Sequence, residues 1–252
     1  MSVDAMTMNA PRMGSVNLRP LLTGLSAVLL LLVGAGLVSA IRSGGAVTHL
    51  QVEGDFYHVT AQAVRAAVEP QLGQGFARLD LDAVRAAVEA LPWVERARVE
   101  RIWPGDVRVR VWEREPFARW GVTGLLSTGA VPFTPLSSEM PKDLPLLSGP
   151  PGHEREVMEA FQRLGTSLAG TPFALASLAL DARGEWIAQT RGGIELRLGR
   201  DEPDAKLDMI TGPLTRALAQ RLQEVKYVDL RYTNGFAVAW REPAPAAGGK
   251  KR

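Results

Sequence analysis

The chain has no cysteine among its 252 residues, and this absence excludes several functions at once. Without thiols there is no thiol nucleophile, no disulfide and no cysteine ligand for a metal, so stability must come from packed cores. An excess of one charge is also missing, because 29 Lys and Arg oppose 27 Asp and Glu and leave a net charge of +2. Nucleic-acid-binding domains usually concentrate basic residues in one stripe. Here arginine alternates with glutamate, so no nucleic acid is expected as a partner.

Motifs for catalysis are missing as well. Only three histidines occur, and their spacing matches neither H-x-x-H nor H-E-x-x-H, so a histidine metal site is not expected. The stretch GTSLAG at Gly165–Gly170 misses the G-x-S-x-G nucleophile elbow and lies inside a predicted helix. Asp229 and Arg231 share a predicted strand, where a local ion pair is favoured over a catalytic one. The sequence therefore predicts a protein that is not an enzyme and needs no cofactor or metal.

One long apolar run is present. Leu21–Ile41 carries no charge, and about 21 residues at about 1.5 Å each span about 32 Å, enough to cross the hydrocarbon core of a bilayer. A cleaved signal peptide is the alternative, since residues 38–40 resemble a cleavage site, but signal cores run only about 7–15 residues. The length predicts a retained single-pass anchor. Arg12 and Arg19 favour a cytoplasmic tail over residues 1–20, with the rest of the chain outside the cytoplasm.

Two short amphipathic helices are predicted after the anchor. The heptapeptide AVRAAVE occurs unchanged at Ala63–Glu69 and Ala83–Glu89, with its apolar residues at helical spacing. The residues expected to bound these helices are Thr60 and either Asp80 or Asp82 as N-caps, and Pro70 and Pro92 as C-terminal limits. Asp80 and Asp82 also look like a carboxylate pair. Capping, at about 1 kcal/mol, is the favoured interpretation at a helix start.

Three predicted strands complete this first unit. Val47–Gly54 precedes the helices, whereas Val94–Trp103 and Asp106–Glu115 follow them as a hairpin with Pro104-Gly105 at the turn. In the last strand valine alternates with arginine and tryptophan, which predicts one buried and one solvated face. The predicted order is β-α-α-β-β over residues 47–116.

A second unit is expected over residues 117–241, and residues 242–252 are expected to be a disordered tail. Its predicted elements are a helix at Glu154–Leu168, a strand at Leu175–Leu180, a hairpin at Glu185–Gly199 around Gly192-Gly193, a helix at Asp204–Leu222 and two final strands. The chain as a whole is therefore predicted to be α+β, with a mixed β unit flanked by helices after the first unit.

The two final strands form the candidate functional site. YVDLRYTNGFAVAW, at Tyr227–Trp240, predicts a strand over Tyr227–Tyr232, a turn at Thr233-Asn234-Gly235 and a last strand over Phe236–Arg241. A terminal strand is commonly a sheet edge, whose unpaired N–H and C=O groups can bind a partner strand.

The apolar side chains of this segment divide into two groups. Phe236 and Val238 are expected to face the core. For Tyr232 and Trp240, core packing and partner binding stay equal alternatives on the residues alone. Tyrosine and tryptophan are enriched at the centres of protein interfaces, so both side chains are carried forward as candidates.

Four signatures, taken in order, resemble the FtsQ/DivIB family of bitopic bacterial division proteins. They are the anchor followed by the β-α-α-β-β unit, LPWVERARVERIWP at Leu91–Pro104, EREPFARW at Glu113–Trp120, and YVDLRYTNGFAVAW at Tyr227–Trp240. Together they cover nearly all of the chain beyond its N-terminal tail. The resemblance implies a POTRA domain over residues 47–116 and a β domain over residues 117–241. It also implies a scaffold at the division site, held in the inner membrane.

The resemblance implies partners as well. In this family the region matching the terminal segment receives FtsB, within the FtsB–FtsL pair, which favours partner binding by Tyr232 and Trp240. The candidate partner-binding residues are Arg231, Tyr232, Asn234, Gly235, Ala237 and Trp240, with Arg183 added from the resemblance. The POTRA domain would serve recruitment by earlier division proteins such as FtsK. Candidates for that recruitment face are Arg96, Val99 and Arg101, although a core valine and two solvated arginines are the favoured alternative.

Two other functions fit part of the pattern. A POTRA-containing factor for outer-membrane assembly or export would bind chains by strand addition, but tandem POTRA units or a β-barrel would be expected with it. A membrane-anchored cell-wall hydrolase would need an acid or metal constellation, of which the sequence gives no sign. The sequence therefore favours a non-enzymatic division scaffold over these two alternatives.

Overall fold

The structure is a computed structural model that describes residues 29–35 and 45–241. Residues 29–35 are helical. Within the described ranges, no helix combines the length and the apolar character needed to cross a bilayer. The predicted anchor at Leu21–Ile41 lies outside the described residues except for 29–35. The predicted tails, residues 1–20 and 242–252, lie wholly outside them.

The first unit is a three-stranded sheet with two helices. Its strands are β1 (His49–Glu53), β2 (Val94–Ile102) and β3 (Asp106–Glu113), and its helices are α1 (Ala61–Leu72) and α2 (Leu81–Glu89). β3 is central, parallel to β1 and antiparallel to β2. The chain order is the β-α-α-β-β order that the sequence predicted.

The helix ends follow the sequence at three of the four predicted limits. The Thr60 hydroxyl accepts a hydrogen bond from the backbone of the first turn of α1, at 3.1 Å. The Asp80 carboxylate accepts two backbone N–H groups of α2, at 2.9 and 3.1 Å, so Asp80 is the N-cap rather than Asp82. α2 ends before Pro92, but α1 continues through Pro70 to Leu72, and that predicted limit is wrong. Near the end of a helix a proline removes only one hydrogen bond, so packing can carry the helix past it.

The first core lies between the helices and the sheet. It contains alternate valines of β3 and the valines of both AVRAAVE copies: Val107, Val109, Val111, Val64, Val68, Val84 and Val88. Each of these side chains is 3% exposed or less. The predicted buried face of β3 and the apolar stripes of the two helices are therefore one packed layer.

The second unit is built on a nine-stranded sheet. The strands are β4 (Pro116–Trp120), β5 (Gly124–Ser127), β6 (Pro132–Phe133), β7 (Leu146–Ser148), β8 (Leu175–Leu180), β9 (Trp186–Thr190), β10 (Glu195–Gly199), β11 (Val225–Asp229) and β12 (Ala237–Trp240). Their order in the sheet is β12-β11-β10-β9-β8-β7-β4-β5-β6. β12 and β6 are therefore its two edges. A helix, α3 (Glu154–Leu168), packs on β7 and β8.

The second predicted helix of this unit is not continuous. In place of Asp204–Leu222, the chain forms a 3-10 turn (Pro203–Lys206), one α-helical turn (Leu207–Met209), a π-helical turn (Ile210–Leu214) and a last α-helical turn (Thr215–Leu218). Pro213 lies in the π-helical turn and has no N–H to donate. The wider π turn accommodates a proline that would clash inside a regular α-helix. Ile210 and Leu214 still reach the core, so the apolar pattern is kept while the hydrogen bonding changes.

A buried tryptophan lies at the contact between the two units. Trp93 is 4% exposed and stacks on the ring of His58, with centroids 3.8 Å apart. Its other neighbour is Phe133 of β6, at 5.2 Å and edge-on, and its Nε1 donates to a Glu139 carboxylate oxygen at 2.7 Å. Phe133 and Leu125 accordingly pack with the core of the first unit. The first unit thus has its own core, and that core is closed by the nine-stranded sheet.

Candidate partner-binding edge

β12 occupies an edge of the nine-stranded sheet. It pairs antiparallel with β11, from Asp229 opposite Ala237 to Val225 opposite Trp240. Among the described residues no strand pairs with its other side. One row of main-chain donors and acceptors on β12 is therefore without a strand partner in the described chain.

The hydrogen bonding indicates which backbone groups point outward. The Arg241 N–H donates inward to the carbonyl of Glu224 at 2.6 Å. Successive residues of a strand point their N–H and C=O groups to opposite sides. Ala239 and Ala237 therefore pair inward with β11, whereas Val238 and Trp240 point their N–H groups away from the sheet.

The connection between β11 and β12 is longer than predicted. The strands stop at Asp229 and restart at Ala237, so residues 230–236 are a loop rather than a tight Asn-Gly turn. Gly235 does not have the positive φ that a two-residue Asn-Gly hairpin requires. The loop begins where the Asp229 carboxylate accepts the backbone N–H of Arg231 at 3.1 Å, which turns the chain directly after β11.

A fixed ion pair stands at the start of this loop. Arg231 donates from Nε to Oδ1 of Asp229 at 2.9 Å and from Nη2 to Oδ2 at 2.6 Å, as the predicted local pair requires. These donors hold the pKa of the buried Asp229 carboxyl below its ordinary value, and the carboxylate raises the pKa of Arg231. A side chain at Gly199, where φ is +91°, would lie 3.4 Å from Arg231 Cγ. Arg231 thus lies against the backbone of β10.

Two exposed aromatic residues stand at opposite ends of the edge. Tyr232 is 57% exposed beside the loop, and Trp240 is 40% exposed at the end of β12. The Arg221 guanidinium lies 4.1 Å from the centre of a Trp240 ring. Phe236 and Val238 pack against the core, as predicted. The edge therefore has an aromatic side chain at each end: Tyr232 is exposed, and Trp240 packs against the Arg221 guanidinium.

The other candidates lie around the same end of the sheet as Tyr232. Asn234 and Ala237 are exposed and Gly235 is half-buried. Arg183 is exposed in the turn between β8 and β9, where Asp181 accepts the backbone N–H groups of Arg183 and Glu185, each at 2.8 Å. Glu185 in turn lies 3.9 Å from the Arg231 guanidinium. The turn of Arg183 and the loop after β11 thus meet at the end of the sheet that carries Arg231.

The three candidates for the recruitment face do not share a face. All lie on β2, an edge of the three-stranded sheet. Val99 is opposite the buried Val109 and packs against the first core, and Arg101 donates to the Leu79 carbonyl at 2.7 Å on that same side. Arg96 lies on the other face, 4.2 Å from a ring of Trp112. These residues share a strand edge rather than a common side-chain surface.

Sequence reasoning missed two arginines that support this edge. Arg221 backs Trp240 and is itself held by Glu224, with Nη2 2.6 Å from Oε2. Arg197 of β10 lies 3.9 Å from the ring centre of Tyr227 on β11. The parallel register of β10 and β11 brings the second pair together, and neither pattern nor composition encodes that register.

The carboxylates of the described region do not converge on a common centre. In residues 29–35 and 45–241 no three His, Asp or Glu side chains are grouped as metal ligands. A surface cavity of about 450 Å³ lies by the junction of the two units, and Glu113 lines it. That carboxylate accepts the backbone N–H groups of Tyr57, His58 and Val59 at 2.8–3.1 Å. It therefore fixes the chain between β1 and α1.

Two family models match the chain, one on each unit. The family described as POTRA domain, FtsQ-type, matches residues 46–114. The family described as Cell division protein FtsQ/DivIB, C-terminal, matches residues 118–231. The second match ends at Arg231, so Tyr232 and the whole of β12 lie beyond it.

Relatives with the name cell division protein FtsQ are similar over most of the chain. The protein of Hahella chejuensis is 34% identical over 195 residues, which cover 77% of this chain and 70% of the relative. That of Xanthomonas campestris is 36% identical over 205 residues, with 81% and 73% covered. That of Burkholderia pseudomallei is 32% identical over 216 residues, with 84% and 86% covered. This chain belongs to the FtsQ family of bacterial cell division proteins.

Proposed function

We propose that this protein is a non-enzymatic scaffold of the division complex and that FtsB, within the FtsB–FtsL pair, adds a strand to β12. The observation that carries the proposal is the outer side of β12, where the N–H groups of Val238 and Trp240 point away from the sheet and no strand of the described residues pairs with them. A partner strand satisfies such groups with main-chain hydrogen bonds, and side chains at its ends select the partner. The partner's name comes from the family resemblance in the terminal segment.

The side chains around the edge suit this role. Tyr, Trp and Arg are the residue types most enriched among binding hot spots. Arg221 supports the Trp240 ring and Asp229 fixes the Arg231 guanidinium before any partner arrives. Side chains that are already ordered lose less conformational entropy on binding, so more of the contact energy appears as affinity. Tyr232 is the exposed counterpart at the other end of the edge.

Location completes the proposal. Leu21–Ile41 is proposed as a single-pass inner-membrane anchor, with residues 1–20 in the cytoplasm and both units in the periplasm at the division site. An anchor confines the scaffold and its partners to one membrane, which raises their effective concentration so that modest contacts suffice. The domain limits proposed are 47–116 for the POTRA domain and 117–241 for the β domain.

The POTRA side is proposed to serve recruitment by division proteins such as FtsK. Because Arg96 and Arg101 lie on opposite faces of β2, a partner reaching Arg96, Val99 and Arg101 together would have to bind along the strand edge. Contact through the backbone of β2 is therefore proposed in place of a side-chain surface.

A pair of proline variants tests strand addition at β12. Val238→Pro removes an N–H that points outward, whereas Ala237→Pro removes one that pairs with β11. We expect Val238→Pro in the full chain to lose binding to purified FtsB–FtsL while keeping most of its melting temperature. We expect Ala237→Pro to lower both. Unchanged affinity of Val238→Pro, measured by titration calorimetry, would contradict strand addition.

A further inference from the structure

The first unit is sealed at the end where the chain enters it. The carbonyl of Gly45 accepts the N–H of Phe76 at 2.8 Å, and the Thr48 N–H donates to the carbonyl of Gly105 at 2.8 Å. A Cβ at Gly105 would lie 2.4 Å from the Thr48 hydroxyl oxygen, so a larger residue there would displace the Thr48 side chain. The turn between β2 and β3 is thus fastened to the first described residues of the unit.

Trp103 projects from that turn into solvent. Its side chain is 71% exposed, although its ring meets the edge of Phe76 at 5.2 Å. Phe76 is itself 1% exposed and lies beneath the guanidinium of Arg101, at 5.5 Å. The Trp103 ring therefore packs against the buried Phe76 and still exposes most of its surface to solvent.

The length of chain before Gly45 limits where this end can be. Four residue steps separate Ile41, the last residue of the apolar run, from Gly45, and a fully extended chain covers at most about 14 Å in four steps. The headgroup layer on each side of the hydrocarbon core is about 6 Å thick. With Leu21–Ile41 in the bilayer, as the proposed function has it, the end that carries Trp103 is held at the lipid surface.

We propose that the Trp103 indole inserts into the interface of the lipid bilayer and acts as a second attachment point for the POTRA domain. Tryptophan favours this layer because its large apolar ring and its N–H match a boundary between hydrocarbon and water. Two attachment points restrict the rotation of the domain more than one anchor does. The domain then stands on the membrane in one orientation.

The charges at this end do not provide the attraction. Arg78 is exposed, but so is Asp80, and Arg101 is turned inward onto Leu79. Asp106 of the same turn pairs with His49 at 3.0 Å. With no excess of basic residues, binding should depend on the indole rather than on anionic lipid. High salt should therefore leave it unchanged.

The absence of cysteine makes the test direct. The full chain is reconstituted in phosphatidylcholine vesicles with a single fluorophore on Gln74→Cys, which lies two residues before Phe76. A matched label on Asp55→Cys reports the opposite end of β1. Nitroxide groups at the headgroup level quench whichever label lies near the bilayer. We expect several-fold stronger quenching at position 74 than at position 55, with 0.5 M salt (roughly a 4 Å screening length) having no effect.

Substitutions at Trp103 distinguish membrane contact by the indole from attachment by the Leu21–Ile41 anchor. Trp103→Ala should reduce the quenching at position 74 by half or more, whereas Trp103→Phe should keep most of it. Tyr57→Ala is the matched control, because Tyr57 is 85% exposed near the far end of β3, and it should change nothing. Circular dichroism checks that each variant is folded.

Two results would overturn the proposal: equal quenching of both labels in the wild type, or unchanged quenching at position 74 in folded Trp103→Ala. Alkaline extraction of the vesicles tests the anchor separately, because a failed anchor releases the protein. FtsB–FtsL binding in detergent should be unaffected by Trp103→Ala. A failure of membrane contact by Trp103 is therefore distinguishable from a failure of the proposed scaffold.

Discussion

The two edges of the nine-stranded sheet differ in every property that controls strand addition. β6 has two residues, begins with a proline, and buries Phe133 against Trp93 of the first unit. β12 has four residues, contains no proline and points two N–H groups outward. The β6 edge is closed by its own sequence and by the first unit, whereas no described residue covers the β12 edge.

The difference between the β6 and β12 edges indicates where this fold has room for a partner strand. Exposed edges invite uncontrolled pairing, and proteins blunt them with prolines, short strands or covering elements. All three devices occur at β6, since Arg114 also lies 5.7 Å from the ring centre of Phe133. None of these devices occurs at β12 among the described residues, which supports the proposal that a partner strand binds at that edge.

The largest expected effect is on the closed edge. Trp93→Ala should lower the free energy of unfolding by about 3–5 kcal/mol, because the side chain is buried between His58 and Phe133. Urea unfolding followed by circular dichroism measures it. Trp103→Ala, in the same unit but 71% exposed, is the control and should cost far less. Similar losses in the two variants would mean that Trp93 does not hold the units together.

A smaller effect is expected on the open edge. Tyr232→Ala and Trp240→Ala should each weaken FtsB–FtsL binding by about 2 kcal/mol, or roughly thirtyfold, and keep most of their melting temperature. Tyr57→Ala removes a tyrosine of the first unit that is more exposed than Tyr232, and it should leave binding unchanged. Full binding by both variants would show that Tyr232 and Trp240 do not form the binding site.

The smallest effect concerns the ion pair that supports the open edge. The Asp229 pKa is lowered by the Arg231 donors, so the carboxylate stabilises the fold above its unfolded pKa of about 3.9. That contribution is lost as pH falls through the lower, folded pKa. Asp229→Asn should therefore lose less stability than the wild type between about pH 5 and pH 2, in acid unfolding curves. Asp201→Asn, at an exposed carboxylate, should retain the wild-type slope.

Much of the fold could be predicted because its signals are local. The AVRAAVE copies and the alternating valines of β3 gave the first unit its elements, and Asp80 capped α2 as expected. Glu154–Leu168 and Leu175–Leu180 have the predicted bounds. In each of these elements the spacing of the buried apolar residues agrees with the intrinsic helix or strand preference of the residues.

The errors arose where tertiary contacts overrode a local signal. Pro70 was expected to end α1, and Asp204–Leu222 was expected to be one continuous helix although Pro213 lies within it. A turn was predicted at Thr233-Asn234-Gly235, but residues 230–236 form a longer loop that begins where the Asp229 carboxylate accepts the Arg231 N–H. The order of the nine strands and the support of Trp240 by Arg221 depend on contacts between distant parts of the chain. No periodicity in the sequence reports such contacts.

The position of β12 in the chain has a consequence for timing. β12 follows all eight other strands of its sheet, and β11, on which it pairs, arrives only after residues 200–224 have crossed from β10. During synthesis the interior strands are therefore available to pair before β12 emerges. Under the proposed function, an unfinished domain offers nothing to FtsB. Recruitment of the later division proteins then waits until the scaffold is complete.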